Sequence, residues 1–165
     1  MARTILFFTL MLLATVPIFA QNTDVTQIFI MRHAEKADAG KDPDLSQAGK
    51  ERAERLAKLL VDVKVDHLYA TPYKRTNQTL MVLAAAQQLQ IEESPQDLKL
   101  FAQLIMDQKG KTIVVAGHSN TAPILVNLLM AEEKYKQLSE DEFGKIWLVT
   151  LKDNKPVACV LLNSN

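Results

Sequence analysis

Two short apolar runs, Gln27-Ile28-Phe29-Ile30-Met31 and Thr112-Ile113-Val114-Val115-Ala116, each stop abruptly at a histidine-bearing polar stretch. The first continues as Arg32-His33-Ala34-Glu35 and the second as Gly117-His118-Ser119-Asn120. Runs this short, rich in β-branched residues and without polar alternation, read as strands buried on both faces. Such strands belong to a parallel sheet covered by helices, and an open sheet of that kind holds ligands just beyond the carboxyl ends of its strands. The chain therefore presents two histidines where an α/β sheet does its chemistry.

The intervening sequence supplies the helices. Ala53, Leu56, Ala57 and Leu60 recur at helical spacing, as do Leu98, Phe101, Ala102 and Ile105. Ser46 is placed to cap a helix over Gln47–Leu60, where Gly49 in the first turn allows close backbone approach. Ser94-Pro95-Gln96-Asp97 reads as N-cap, proline at N1 and an acid at N3 for the next helix, which Gly110 closes. Asn120 reads as the cap of a further helix over residues 121–130. A weaker strand runs over residues 63–70, and Ile146–Leu151 and Val157–Leu162 flank the turn-like Lys152-Asp153-Asn154-Lys155 as a hairpin. The expected fold is α/β, a three-layer sandwich whose mostly parallel central sheet has helices on both faces and an antiparallel edge hairpin.

Lys plus Arg equals Asp plus Glu at 19 each, so no global field recruits nucleic acid or an acidic membrane, and any positive potential is local. Residues 1–20 carry one positive charge at Arg3, an apolar stretch from Thr4 to Phe19 and a small residue, Ala20, before polar Gln21-Asn22-Thr23-Asp24. That pattern predicts a signal peptide over residues 1–20. The apolar part is shorter than the roughly 20 residues a spanning helix needs, and Pro17 interrupts it, so no stable membrane anchor is expected. The product would be secreted or periplasmic, with one domain over residues 21–165. Cys159, the single cysteine, reads as a small buried hydrophobe.

A third segment, Thr71-Pro72-Tyr73-Lys74-Arg75-Thr76-Asn77-Gln78-Thr79, also follows a strand-like run and adds an arginine from the opening of a helix. Two histidines and two arginines then converge on one sheet edge, a set suited to a phosphate group. Desolvating Arg32 beside His33 is a cost that a purely structural site seldom needs. Gln78 lies one turn beyond Arg75 and is placed to orient it. His67 has no such company and reads as a surface histidine. The histidines lack metal-ligand spacing and the arginines would repel a cation, so neither metal nor cofactor is expected.

Arg32-His33-Ala34-Glu35, Leu45-Ser46-Gln47-Ala48-Gly49, Thr71-Pro72 with Arg75, Gln78 and Thr79, and Gly117-His118-Ser119 resemble, in order, the signatures of the histidine phosphatase superfamily, also called the phosphoglycerate mutase-like family. The resemblance implies that His33 is the nucleophile, its tautomer fixed by a main-chain carbonyl, and that Arg32, Arg75 and His118 bind the phosphoryl oxygens. It implies a metal-independent phosphohydrolase acting on a small phosphomonoester. A phosphohistidine-protein phosphatase, a mutase and a phosphoester-binding relative without turnover are the other readings.

The sequence departs from the family in two places. Ala34 stands where a glycine usually follows the nucleophile. Many relatives carry their proton-donating acid between the Arg75 helix and the His118 strand, and small relatives often show an Asp-Pro pair where this chain has Ser94-Pro95. The candidates for the donor here are Glu35, two residues beyond His33, and then Glu93 or Glu92. The alternative role for Glu35 is a carboxylate paired with Arg32 or Arg75.

Overall fold

A computed structural model describes residues 25–164, so the segment expected to be a signal peptide lies outside the described residues. Six strands and four helices follow the order β1 (Val25–Arg32), α1 (Gln47–Leu60), β2 (His67–Ala70), α2 (Lys74–Gln87), β3 (Ile91–Glu93), α3 (Leu98–Asp107), β4 (Thr112–Gly117), α4 (Thr121–Met130), β5 (Lys145–Lys152) and β6 (Lys155–Asn163). The strands form one mixed sheet in the order β3-β2-β4-β1-β5-β6. β1, β4, β2 and β3 run parallel, whereas β5 and β6 add an antiparallel edge. The expected architecture is present.

Two apolar clusters show why the sheet must be covered twice. Ile28, Ile30, Ile113, Val115 and Trp147 pack on one face against Phe101 and Ile105 of α3 and Leu125 and Val126 of α4. Phe29, Met31, Val114 and Ala116 point the other way, onto Leu56 and Leu60 of α1 and Leu80 and Leu83 of α2. The period-two alternation of strand side chains thus turns a continuous apolar run into two cores.

Several local expectations are refined. Ser46 does cap α1, accepting from the Gly49 N–H at 3.1 Å. Its neighbour Gly49 is needed, since a Cβ there would meet the Glu35 carbonyl oxygen at 2.3 Å. The cap of α3 is Asp97, which accepts from the N–H groups of Lys99 and Leu100, rather than Ser94; the Ser94-Pro95 pair instead leaves the sheet, with the Ser94 N–H donating to the Ala70 carbonyl. α3 ends at Asp107, and Gly110 takes its positive φ of 70° in the following turn. Asn120 stands at the cap position of α4 without a side-chain capping bond; the Thr121 hydroxyl accepts from the His118 N–H instead, at 2.9 Å. The hairpin turns on Asp153 and Asn154, both at positive φ (51° and 61°), the pattern of a two-residue turn matched to strand twist. β2 begins only at His67, because Asp66 is drawn to the amino end of β4, its carboxylate accepting from the Thr112 N–H at 2.9 Å. The edge strand β3 is an addition to the expected list: three residues, two of them exposed glutamates, carry too little apolar signal.

Candidate active site

The β1–β4 register sets Arg32 beside Gly117, and the His33 N–H donates to the Gly117 carbonyl at 2.9 Å. Both strands therefore end level, and the two histidine rings meet edge to face with centroids 5.5 Å apart. Arg75, second residue of α2, reaches the same edge, its Nη2 donating to His118 Nδ1 at 3.4 Å. Arg32, His33, Arg75 and His118 all line a cavity of about 530 Å³ at the carboxyl ends of the parallel strands.

His33 is held for one task. Its Nδ1–H donates to the Ala34 carbonyl at 2.7 Å, so in the neutral ring Nε2 keeps its lone pair. Burial is the main reason its pKa drops to about 4; Arg32, His118 and Arg75 push the same way, and the Ala34 carbonyl opposes them. The loop carrying that carbonyl is locked in turn. Ala34 N–H donates to Thr79 Oγ1 at 2.9 Å, and the Thr79 hydroxyl donates to the Arg75 carbonyl at 2.7 Å. One α2 threonine thus couples the His33 loop to the helix that carries Arg75.

His118 is lowered to about 4 by burial first, then by Arg75 and Arg32. Its Nε2–H donates to Thr71 Oγ1 at 3.0 Å, which leaves Nδ1 to accept from Arg75. Tyr73 finishes the wall: its ring stands edge to face with His118 and lies under the Arg75 guanidinium, 4.4 Å from the ring centroid.

Arg32 is almost fully buried, 2% exposed, in a socket built by the loop before β5. Its Nη1 donates to the carbonyls of Ser139 (2.7 Å) and Glu142 (3.2 Å), its plane lies over Phe143, and its Nη2 donates to Glu140 Oε2 at 3.1 Å. Arg32 Nε and Arg75 Nε are both buried without a hydrogen-bond partner among the described residues. Two unpaired guanidinium donors at one cavity are costly unless an anion completes them. Among the described residues, no group of three or more His, Cys, Asp or Glu side chains could hold a metal ion.

The expected acids lie elsewhere. Glu35 does not line the cavity; its carboxylate turns to α1, where Arg52 Nη2 donates to it at 2.7 Å and Arg52 Nε at 3.0 Å. Its partner is therefore neither Arg32 nor Arg75. Burial alone would raise its pKa, but the hydrogen bonds from Arg52 outweigh that and hold the carboxyl below its ordinary value, an unsuitable state for a proton donor. Glu92 is occupied by His67, whose Nδ1–H donates to it at 3.0 Å on the half-exposed side of β2, and Glu93 is exposed at the end of β3. Gln78 leaves Arg75 alone as well, accepting from the Leu45 N–H and donating to Asp44. Asp42, absent from the expected set, accepts from the Lys74 N–H and lies 3.7 Å from Arg75 Nη1. The cavity wall also includes Tyr73 of the third segment, and Lys36 and Glu140, which no motif announced.

Residues 28–96 match the histidine phosphatase superfamily, branch 1. Over that stretch, less than half of the chain, the sequence is similar to that superfamily. Its segment of 74 residues is 35% identical to phosphoserine phosphatase 1 of Hydrogenobacter thermophilus, a match covering 41% of this chain and 35% of that relative's length. The fold of this chain is similar to that of the protein histidine phosphatase SixA solved with tungstate, with a TM-score of 0.70 and 22% identity over 84% of this chain and 97% of that one. It is similar also to phosphoserine phosphatase from Entamoeba histolytica in complex with 3-phosphoglyceric acid, with a TM-score of 0.63 and 18% identity over 85% of this chain and 98% of that one.

Proposed function

We propose that this protein is a phosphomonoester hydrolase that works through a phosphohistidine on His33, without a metal. The observation that carries the reading is a neutral imidazole, its Nδ1–H fixed on a carbonyl, at a cavity edged by two guanidinium groups with unpaired Nε donors. In that arrangement Nε2 attacks phosphorus, the bond to the substrate oxygen breaks, and the electron pair leaves with the alcohol. Arg32, Arg75 and His118 stabilise the charge on the three peripheral oxygens, which is most of what a loose phosphoryl-transfer transition state can use. Water then attacks the phosphohistidine and returns the electron pair to Nε2. Support comes also from the fold shared with SixA, which was solved with tungstate, an oxyanion like phosphate.

The cavity is sized for a small phosphorylated molecule. A hydrolysis screen across phosphoserine, sugar phosphates, nucleotides, inositol phosphates and phosphohistidine peptides, run with and without vanadate, tests the reading. Vanadate-sensitive release of phosphate is expected from one or more of these. No release from any of them, with phosphate still bound by the protein, supports instead a binding relative without turnover.

The N-terminal sequence supports export with cleavage after Ala20. Mass spectrometry of the exported protein is expected to begin at Gln21, and a soluble cytosolic chain with Met1 intact contradicts export.

A further inference from the structure

Glu140 is the one carboxylate lining the cavity among the described residues. It reaches there on a loop whose backbone already secures Arg32: the Ser139 and Glu142 carbonyls take Nη1, and Phe143 takes the guanidinium face. The Glu140 side chain is 76% exposed and touches only Nη2 of that guanidinium, while the neighbouring Nε stays unpaired. Nε–H and Nη2–H form one edge of the arginine fork, the edge on which an oxyanion binds through two oxygens. A single carboxylate oxygen on half of that edge is a replaceable occupant, and a phosphoryl group engaging both donors displaces it.

We infer that Glu140 is the proton donor to the leaving oxygen, released from Arg32 by the substrate's own phosphoryl group. This rests on the phosphatase reading above. Once displaced, the carboxyl group no longer faces the guanidinium and is free to carry a proton to the leaving oxygen. As the His33 Nε2–P bond forms and the P–O bond breaks, the Glu140 proton passes to the departing oxygen and leaves a carboxylate. In the second half-reaction that carboxylate takes the proton from the attacking water while the N–P bond breaks. Proton and electron pair both return to their starting places. Of the three acids expected from the sequence, Glu35 is held by Arg52, Glu92 is held by His67, and Glu93 does not line the cavity.

The test is Glu140→Gln, an exposed change that keeps shape and removes the acid. An alkyl phosphate needs its leaving oxygen protonated, whereas p-nitrophenyl phosphate does not. The expected result is a loss of kcat on the alkyl phosphate of ~10²-fold or more, a loss of only a few-fold on the aryl phosphate, and tighter binding of inorganic phosphate by calorimetry. Equal losses on both substrates, with weaker phosphate binding, would make Glu140 a positioning residue for Arg32 and overturn the donor role. Unchanged kinetics on both would overturn it too. Phosphate labelling of His33 in the wild-type chain separates the two claims: label with either of these outcomes overturns the donor role alone, and its absence overturns the phosphatase reading and the donor role together.

Discussion

The two sides of the cavity are built differently. On the His33 side, the backbone and ring are fixed by a run of hydrogen bonds: Nδ1 to Ala34, Ala34 N–H to Thr79, Thr79 to the Arg75 carbonyl, with α1 packed so close that only Gly49 fits under Glu35. On the opposite side, the loop from Ser139 to Phe143 is joined to the site through Arg32 and a ring contact between Phe143 and His33, and its Glu140 and Asp141 side chains stand in solvent. An imidazole that attacks at one angle, as proposed for His33, gains from being fixed in advance. A carboxylate that gives way to a substrate, as inferred for Glu140, gains from being held by one exchangeable contact. The difference assigns pre-organisation to one wall and adjustment to the other.

The largest effect belongs to the fixed wall. His33→Ala is expected to abolish hydrolysis of an aryl phosphate, and residual activity near the wild-type rate would break the comparison outright. Next come the arginines: Arg75→Ala is expected to lower kcat/KM by ~10²-fold or more through loss of a charge-stabilising donor. Arg32→Ala should do the same and in addition free the loop from residue 139 to 143, visible as faster amide exchange there and not in the Thr79 region. Similar protection of both regions in that variant would show that the loop has other anchors.

Thr79→Val sharpens the contrast. It keeps the shape of a residue that is 1% exposed but leaves the Ala34 N–H unpaired. A loss of ~1–3 kcal/mol in urea unfolding is expected from one buried unsatisfied donor, with a fall in kcat. Ser139→Ala on the exposed loop should cost less than half of that.

The two histidines give a pH signature. In the folded chain both titrate near 4, and in the unfolded chain near 6.5, so between these values the unfolded state binds more protons. Stability therefore rises with pH across that window: the contribution is complete above about 6.5 and is lost as pH falls through about 4. Urea midpoints from pH 7 to pH 4 should show that slope, and His33→Gln should reduce it. A slope unchanged in the variant would mean that His33 is not held neutral. The smallest effects concern Glu35 and metal. Glu35→Gln should leave the ratio of alkyl to aryl rates unchanged, and EDTA should leave activity intact; loss on chelation restored by a divalent ion would point to a metal-dependent reaction.

The same contrast explains what could be read from sequence. Arg32, His33 and His118 were legible because each directly follows a run that has no alternative to being a buried strand, and strand ends in such sheets share one edge. Arg75 was legible through its place in the first turn of a helix after β2. Glu35 was misplaced because nearness to His33 along the chain says nothing about side: the backbone turns after β1 and aims the carboxylate at Arg52, seventeen positions on, a pairing no local pattern encodes. Glu140 was invisible for the converse reason. It lies in an acidic stretch that reads as a solvated loop, and only the return of the chain into β5, antiparallel beside β1, brings that loop over Arg32. β3 was missed because its hydrogen bonds to β2 carry it, with a single apolar residue to signal it.

The central claim is a covalent phosphoryl group on His33, and rapid acid-free quench of the wild-type chain with ³²P-labelled substrate, followed by peptide mapping, tests it most directly. The account predicts base-stable, acid-labile label on the peptide containing His33, forming and decaying at rates no slower than turnover, and absent from His33→Ala. Turnover of the substrate with no label on that peptide, or with label on His118 instead, would contradict it.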